Sequence, residues 1–215
     1  MITAPSVLSL DFTEMKKQCE ALERSQAEWL HFDVMDGNFV PNLSFGPDIL
    51  KAFCRISTLT KDVHLMVKDP AFYADVFADA GAEWITFHQE AVETDEKIHE
   101  LIRHIHERGL KAGLSVKPGT SLETLKPFLK EADLFLIMSV EPGFGGQKFN
   151  ENAPGRIAAL KAMLKDSGSN ALISVDGGIN DVTGRKCAEA GADVLVAGSY
   201  VFKGDIEERV ASLCL

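Results

Sequence analysis

The chain has 215 residues, of which 46% are hydrophobic and 25% are charged, and its formal net charge at pH 7 is -10. These values are typical of a globular protein with a sizeable core. The acidic excess argues against nucleic acid and anionic membranes as partners, but it permits a local anion site. No apolar run approaches the roughly 18 residues of a membrane span, and the N-terminus has no signal-peptide pattern. We therefore expect a cytoplasmic protein, in which the four cysteines, lacking any CxxC pair, are reduced thiols.

Short apolar runs alternate with amphipathic segments along the chain. Eight runs have the length of strands rather than helices: Ala4–Leu8, Trp29–Val34, Asp62–Val67, Trp84–His88, Ala112–Val116, Leu134–Ser139, Leu172–Asp176 and Val194–Ala197. Apolar residues at intervals of three or four predict helices between or after them: Asp11–Arg24, Ala71–Ala80, Asp95–Arg108, Leu122–Leu129, Arg156–Leu164, Thr183–Ala190 and Ile206–Leu213. Gly81 and Gly191, each just past a helix, favour left-handed helix ends.

This alternation of strands and helices indicates a parallel sheet. An open doubly wound sheet would place a glycine fingerprint directly after the first strand, where the chain reads Leu8-Ser9-Leu10-Asp11. A closed barrel fits the pattern better. Because no linker or low-complexity segment divides the chain, we predict an α/β protein with a single (β/α)8 TIM barrel domain over residues 1–215.

Polar residues that can bind metal lie on three of the predicted strands: His31, Asp33, His64 and Asp176. Catalytic residues of such barrels lie at the carboxyl ends of the strands. His31 and Asp33 are two residues apart, so they point to the same face. Taken singly, a histidine in an apolar strand is more often a hydrogen-bonded core residue than a ligand, and an aspartate after a strand is often a helix cap. Together, two histidines and two carboxylates suit Zn²⁺, Fe²⁺ or Mn²⁺, and unpaired buried charge would be costly.

Three methionines, Met35, Met66 and Met138, also lie near predicted strand ends. Methionine commonly fills gaps in a core. The alternative is an apolar wall around a reacting carbon, and the spacing does not decide between the two.

Glycine-rich turns follow the last three predicted strands. Their residues are Gly143, Phe144, Gly145 and Gly146 after the sixth strand, Gly177 and Gly178 after the seventh, and Gly198 and Ser199 after the eighth. Glycine lets backbone N–H groups approach an anion closely, and barrels of this type commonly bind phosphate with their last loops. Three such turns in succession indicate a phosphate site.

Seven segments resemble the ribulose-phosphate 3-epimerase family, in order from residue 4 to about residue 202. They are Ala4-Pro5-Ser6, HFDVMDGNFVPN (31–42), DVHLMV (62–67), VKPGTS (116–121), MSVEPGFGGQKF (138–149), VDGGIN (175–180) and AGS (197–199). The resemblance implies one divalent metal ion per subunit, with zinc favoured and iron, manganese or cobalt as alternatives. Its ligands would be His31, Asp33, His64 and Asp176.

The resemblance also implies the reaction, the conversion of D-ribulose 5-phosphate to D-xylulose 5-phosphate in the pentose phosphate pathway. Asp33 and Asp176 match acid/base carboxylates on opposite faces of the substrate, acting through a metal-stabilised enediolate. Residues matching substrate or phosphate contacts are Ser6, His64, Gly143, Phe144, Gly145, Gly146, Gly177, Gly178, Gly198 and Ser199, and the three methionines match the apolar wall. The family is usually oligomeric, which implies a homo-oligomer. Asn38 departs from the family, because many members have histidine or arginine there.

Other functions remain open. The same chemistry would serve a 3-epimerase of a related ketose phosphate such as allulose 6-phosphate, although the GFGGQKF segment resembles the pentose enzyme. A non-catalytic phosphosugar-binding barrel with a structural metal is less compatible with two carboxylates, since structural zinc favours cysteine. A related decarboxylase would need an Asp-x-Lys-x-x-Asp run, whereas Val34 and Met35 follow Asp33.

Four further histidines have weaker signals. His88 and Glu90 follow the fourth predicted strand and could line the rim of the barrel. His99, His104 and His106 fall in a charged helical segment, where we expect them to face solvent.

Overall fold

All eight strands belong to one parallel sheet in the computed structural model, which describes residues 1–215. The strands are β1 Ile2–Pro5, β2 Trp29–Met35, β3 Thr60–Met66, β4 Trp84–His88, β5 Lys111–Val116, β6 Leu134–Met138, β7 Leu172–Asp176 and β8 Val194–Ala197. Their hydrogen-bonded order is β1-β8-β7-β6-β5-β4-β3-β2. The two ends of this order also meet, because the Glu28 amide donates to the Thr3 carbonyl at 3.2 Å and Ser6 forms a parallel bridge with His31. The sheet is therefore a nearly closed barrel, which confirms the predicted (β/α)8 fold.

Helices connect the strands and cover the outside of the barrel. They are α1 Met15–Arg24, α2 Pro47–Ile56, α3 Pro70–Ala80, α4 Asp95–Glu107, α5 Ala153–Ser167, α6 Asp181–Glu189, α7 Ser199–Phe202 and α8 Ile206–Ala211. The connection from β5 to β6 is a 3-10 helix, Leu122–Phe128, rather than an α-helix, and Pro127 inside it lacks the N–H that an α-helix would need. None of the helices combines the length and the apolar character that crossing a membrane requires.

Several elements differ from the sequence prediction, among them the short helix α7, which was not predicted. The helix α2 was not predicted, although Pro47 at its start and the buried Leu50 and Phe53 are typical of an amphipathic helix. β1 is Ile2–Pro5 rather than Ala4–Leu8, because the Ser6 hydroxyl accepts a hydrogen bond from the Leu8 amide and starts a 3-10 turn. The two glycines predicted at helix ends do have positive φ angles, +105° at Gly81 and +107° at Gly191.

The hydrophobic core has two parts because alternate strand residues face opposite sides of the sheet. The larger part lies between the sheet and the helices, and Phe32 of β2 is fully buried there with its ring edge against Phe53 of α2, at a centroid distance of 5.1 Å. The smaller part fills the barrel interior and consists of Ala4, Trp29, Leu134, Leu136, Met138, Val194 and Val196. These interior residues come mainly from β6, β8 and β1, which leaves the side of β2, β3 and β4 to polar residues.

We expect Phe32→Ala to lower the free energy of unfolding by about 3–5 kcal/mol, because it leaves a cavity between β2 and α2. Urea denaturation measures this change. Phe72→Ala is the control, since Phe72 is 59% exposed and its loss should cost less than about 1 kcal/mol. Equal losses in the two variants would contradict this description of the core.

Candidate metal centre and active site

Four polar side chains meet inside the barrel towards the carboxyl ends of its strands. His31 and Asp33 lie on β2, His64 lies on β3, and Asp176 is the last residue of β7. One nitrogen or oxygen atom from each lies within 4.8 Å of the others. The pairing of β2 with β3 contributes to this meeting, because it places His64 directly opposite Asp33.

One nitrogen of His31 points to a cation site. His31 Nδ1 lies 2.7 Å from Asp62 Oδ2, and since a carboxylate only accepts hydrogen bonds, Nδ1 carries the proton. In the neutral ring the lone pair is then on Nε2, which is buried, has no hydrogen-bond partner and lies 3.3 Å from Asp33 Oδ1. Burial lowers the pKa of His31, but Asp33 and Asp62 raise it well above its usual value, so without a cation the ring is charged, and a cation would take the place of the proton on Nε2. An unpaired buried nitrogen beside carboxylate oxygens fits a divalent cation, and His₂Asp₂ is a donor set suited to zinc, iron or manganese.

The Asp33 carboxylate lies at the centre of the cluster. Ser6 donates to its Oδ2 at 2.5 Å, and His64 Nδ1 lies 3.2 Å from its Oδ1. On the other side of the His64 ring, Nε2 lies 2.9 Å from Nε2 of His88. Ser6 at the end of β1 and His64 on β3 therefore approach Asp33 from the two strands beside β2, so the closed barrel is needed to bring them together.

The two aspartates have different proton affinities. Burial raises the pKa of Asp33, but the charge and hydrogen bond of His31, assisted by His64, outweigh this effect and hold the pKa well below its usual range. Burial, together with the negative charge of Asp33, raises the pKa of Asp176 to about 7. Without a cation, Asp33 is thus ionised at neutral pH while Asp176 is about half protonated, and such a difference in pKa is typical of acid–base pairs. A cation in contact with both would lower both pKa values.

His88 and Glu90 continue the polar cluster away from the cavity. Burial lowers the pKa of His88 to about 4, so its ring is neutral at pH 7. Burial alone would raise the pKa of Glu90, but hydrogen bonds from His88, Thr120 and the Lys117 amide lower it to about 2. A neutral imidazole and an ionised carboxylate therefore lie 3.3 Å apart behind His64.

A cavity of about 600 Å³ opens above the cluster. Most residues predicted for catalysis or substrate binding line it: Ser6, Asp33, Met35, Met66, Met138, Gly143, Phe144, Gly145, Gly146, Asp176, Gly177, Gly178, Gly198 and Ser199. His31 and His64 do not line it and are fully buried. The cavity thus has a polar floor with three buried methionines beside it.

The glycine turns offer free backbone donors to this cavity. The amides of the four residues Gly143 to Gly146, and that of Gly178, donate to no other atom of the chain. Gly178 has a φ of +63°, and a Cβ there would lie 2.6 Å from the Phe149 backbone nitrogen, so only glycine fits. Gln147 closes the first turn by donating to the carbonyls of Glu141 and Phe144. A run of unpaired amides in a cavity is suited to an anion.

Sequence reasoning missed Asp62, which orients His31. The spacing that linked His31 to Asp33 was also present between Asp62 and His64 on the next strand, and it could have found this residue. Asn38 does not line the cavity; its amide groups bond to Asp36 and close an exposed turn.

The three histidines of α4 are not simply solvated. Each hydrogen-bonds a carboxylate of a neighbouring segment while it stays partly exposed: His99 with Glu131, His104 with Asp75, and His106 with Asp133. They lie outside the cavity. The four cysteines form no disulfide.

Comparison with known sequences gives a consistent similarity over nearly the whole chain. The sequence model of the "Ribulose-phosphate 3 epimerase family" matches residues 2–202. Ribulose-phosphate 3-epimerase of Rhodobacter capsulatus is 44% identical over 201 residues, which cover 94% of this chain and 86% of that protein. The protein of the same name from Bacillus subtilis is 42% identical, covering 93% of this chain and 91% of its own length.

Solved structures with lower identity share the fold. 3-Hexulose-6-phosphate synthase of Salmonella typhimurium has a TM-score of 0.73 at 21% identity, covering 99% of this chain and 96% of that chain. A mutant tryptophan synthase alpha-subunit from Pyrococcus furiosus has a TM-score of 0.72 at 15% identity, with the same coverage. At these identities the similarity supports the barrel alone.

We expect Asp62→Asn to weaken zinc binding about 10-fold or more, because His31 loses the charged acceptor that keeps its Nε2 lone pair towards the cluster. Competition with a chromophoric chelator measures the dissociation constant. Asp48→Asn is the matched control, since its side chain is 93% exposed. An unchanged affinity in Asp62→Asn would contradict the orientation assigned to His31.

Proposed function

The chain belongs to the ribulose-phosphate 3-epimerase family and is an epimerase, and we propose that it interconverts D-ribulose 5-phosphate and D-xylulose 5-phosphate. The observation that carries the proposal is the pair of carboxylates, Asp33 and Asp176, which belong to one buried cluster at the floor of the cavity. The printed names of the relatives support the substrate.

Inversion at carbon 3 needs one proton removed from one face of the sugar and another delivered to the opposite face. We assign these two tasks to Asp33 and Asp176, which exchange roles in the reverse direction. Their opposite pKa shifts support the assignment, since one carboxylate is ready to accept a proton while the other holds one. A single ionised carboxylate would serve only one face.

The assigned metal ligands are His31, Asp33, His64 and Asp176, and zinc is the favoured ion. A divalent cation held by these side chains would supply Lewis-acid stabilisation of the negative charge that develops on the substrate oxygens beside carbon 3. The unpaired Nε2 of His31 supports this assignment. Ser6 contributes by donating a hydrogen bond to Oδ2 of Asp33, which holds the carboxylate in one orientation.

The remaining cavity residues position the substrate. The free amides of the glycine turns are suited to the phosphate group, whose binding energy would align carbon 3 between the two aspartates. Met35, Met66 and Met138 give the reacting end an apolar surround that excludes water. Exclusion of water strengthens the electrostatic interactions that the aspartates make there.

We expect Asp33→Asn and Asp176→Asn each to lower turnover of D-ribulose 5-phosphate by roughly 10²–10⁴-fold, because each loses an acid/base group. Circular dichroism checks that the fold persists. Asp181→Asn, an exposed aspartate at the start of α6, is the control and should keep its activity. Activity above about a tenth of the unsubstituted enzyme in either variant would be too high for a lost acid/base group.

Removal of bound metal with a chelator should abolish turnover, and Zn²⁺, Fe²⁺, Mn²⁺ or Co²⁺ should restore it. Metal analysis of the chelated protein is run beside the assay. Full activity in protein verified as metal-free would disprove the metal role.

Solvent deuterium separates a catalyst from a sugar-binding protein. We expect deuterium from D₂O to enter the carbon-3 position, since the returning proton comes from a carboxyl group that exchanges with water. No incorporation would exclude the proposed proton transfer. A higher kcat/KM on allulose 6-phosphate than on D-ribulose 5-phosphate would instead reassign the substrate.

A further inference from the structure

We propose that His88 and Glu90 are positioning residues, which hold His64 in the one tautomer and orientation that can bind a cation. The inference rests on the metal centre proposed above and extends it to two residues that do not line the cavity. The observation that carries it is a continuous line of contacts from His64 through His88 to Glu90, which we call the relay. His64 Nε2 lies 2.9 Å from His88 Nε2, and His88 Nδ1 lies 3.3 Å from Glu90 Oε2.

The proton positions along this line follow from its far end. A carboxylate accepts hydrogen bonds, so Nδ1 of His88 carries a proton and donates it to Glu90. The distance of 2.9 Å between Nε2 of His88 and Nε2 of His64 leaves room for only one proton, and His88, which already has its proton on Nδ1, accepts that proton from His64. A cation at the proposed centre would take the place of a proton on Nδ1 of His64, so His64 then carries its proton on Nε2 and has a lone pair on Nδ1, on the side of Asp33. That is the nitrogen through which it can bind metal.

Glu90 is itself held in place by the segment 116–121, which carries the sequence VKPGTS. Its Oε1 accepts a hydrogen bond from the Lys117 amide at 2.8 Å and another from the Thr120 hydroxyl. Arg156 of α5 fixes the same segment by donating to the carbonyls of Thr120 and Lys117. A segment that makes no contact with the cavity thereby acquires a function, to fix the carboxylate at the end of the line.

The inner part of the line, from His64 to His88, is shielded from water, whereas Glu90 is exposed. His88 is fully buried, and the Phe39 ring lies over it at a centroid distance of 4.9 Å. The Lys117 ammonium lies 4.3 Å from the centre of the Phe39 ring. Without competing water, the His64 proton has His88 as its acceptor, so the orientation of His64 depends on that residue.

The test is the zinc affinity of the full chain, measured by competition with a chromophoric chelator. We expect His88→Phe to weaken zinc binding about 10–100-fold, as is typical when the hydrogen-bond partner of a ligand is lost. His88→Gln should recover most of the loss, because its amide can accept from His64 and donate to Glu90. Glu90→Gln should weaken zinc binding by an amount between those of His88→Phe and His88→Gln, because the new side-chain amide can donate to His88 as well as accept from it. Thr86→Val is the matched control, since its hydroxyl lies on the same strand, is buried and has no partner.

The outcomes separate this inference from the proposed metal centre. If the unsubstituted chain binds no divalent ion, the metal centre and the relay are both wrong. If it binds zinc and His88→Phe binds equally well, the relay alone is wrong. If His88→Phe and His88→Gln weaken zinc binding equally, His88 has a packing role and the relay is also wrong.

A spectroscopic measurement on the unsubstituted protein covers the case in which His88→Phe does not fold. Long-range ¹H–¹⁵N correlation spectra of the zinc-loaded protein distinguish the two imidazole tautomers. We expect the proton on Nε2 of His64 and on Nδ1 of His88. A proton on Nε2 of His88 would overturn the relay.

Discussion

Ionisable side chains can be buried inside a closed barrel only when each has a partner, and this requirement explains most of the interior around the site. His31 is paired with Asp62, and Asp33 receives a hydrogen bond from Ser6. His64 faces His88 on the neighbouring strand. The one buried imidazole nitrogen left without a partner, Nε2 of His31, faces the same point as the carboxylates. The pattern of satisfied groups therefore marks the position that a ligand would fill.

The barrel divides its interior into two unlike sides. Leu134, Leu136 and Met138 of β6, with Val194 and Val196 of β8, form an apolar side. The polar groups come mainly from β2, β3 and β4, and Asp176 joins them from β7. A substrate lying between the two sides would meet carboxylates from opposite directions and methionines at the reacting end. The glycine turns after β6, β7 and β8 would hold the other end of the substrate. The two halves of the candidate site therefore differ in composition.

The sequence allowed the residues of the candidate site to be named, but not the way in which they meet in space. His31 and Asp33 could be paired because two residues on one strand have a fixed relation. Their relation to His64 depends on the register of β2 with β3, which no local pattern specifies. The role of Asp62 was hidden for the same reason. The end of β1 was misplaced because a hydrogen bond from the Leu8 amide to the Ser6 hydroxyl, rather than propensity, ends the strand.

The seam between β1 and β2 has a consequence for biosynthesis. β1 is the first strand to leave the ribosome, but its ladder partner is β8, the last. Ser6, at the end of β1, can hold the Asp33 carboxylate only when β1 has docked, and Asp176 arrives with β7. A nascent chain therefore has no complete set of liganding side chains until almost all of it has been translated. A cation held by the proposed centre would therefore bind only after Asp176 has been synthesised, and a product truncated before β7 would lack one of the four proposed ligands.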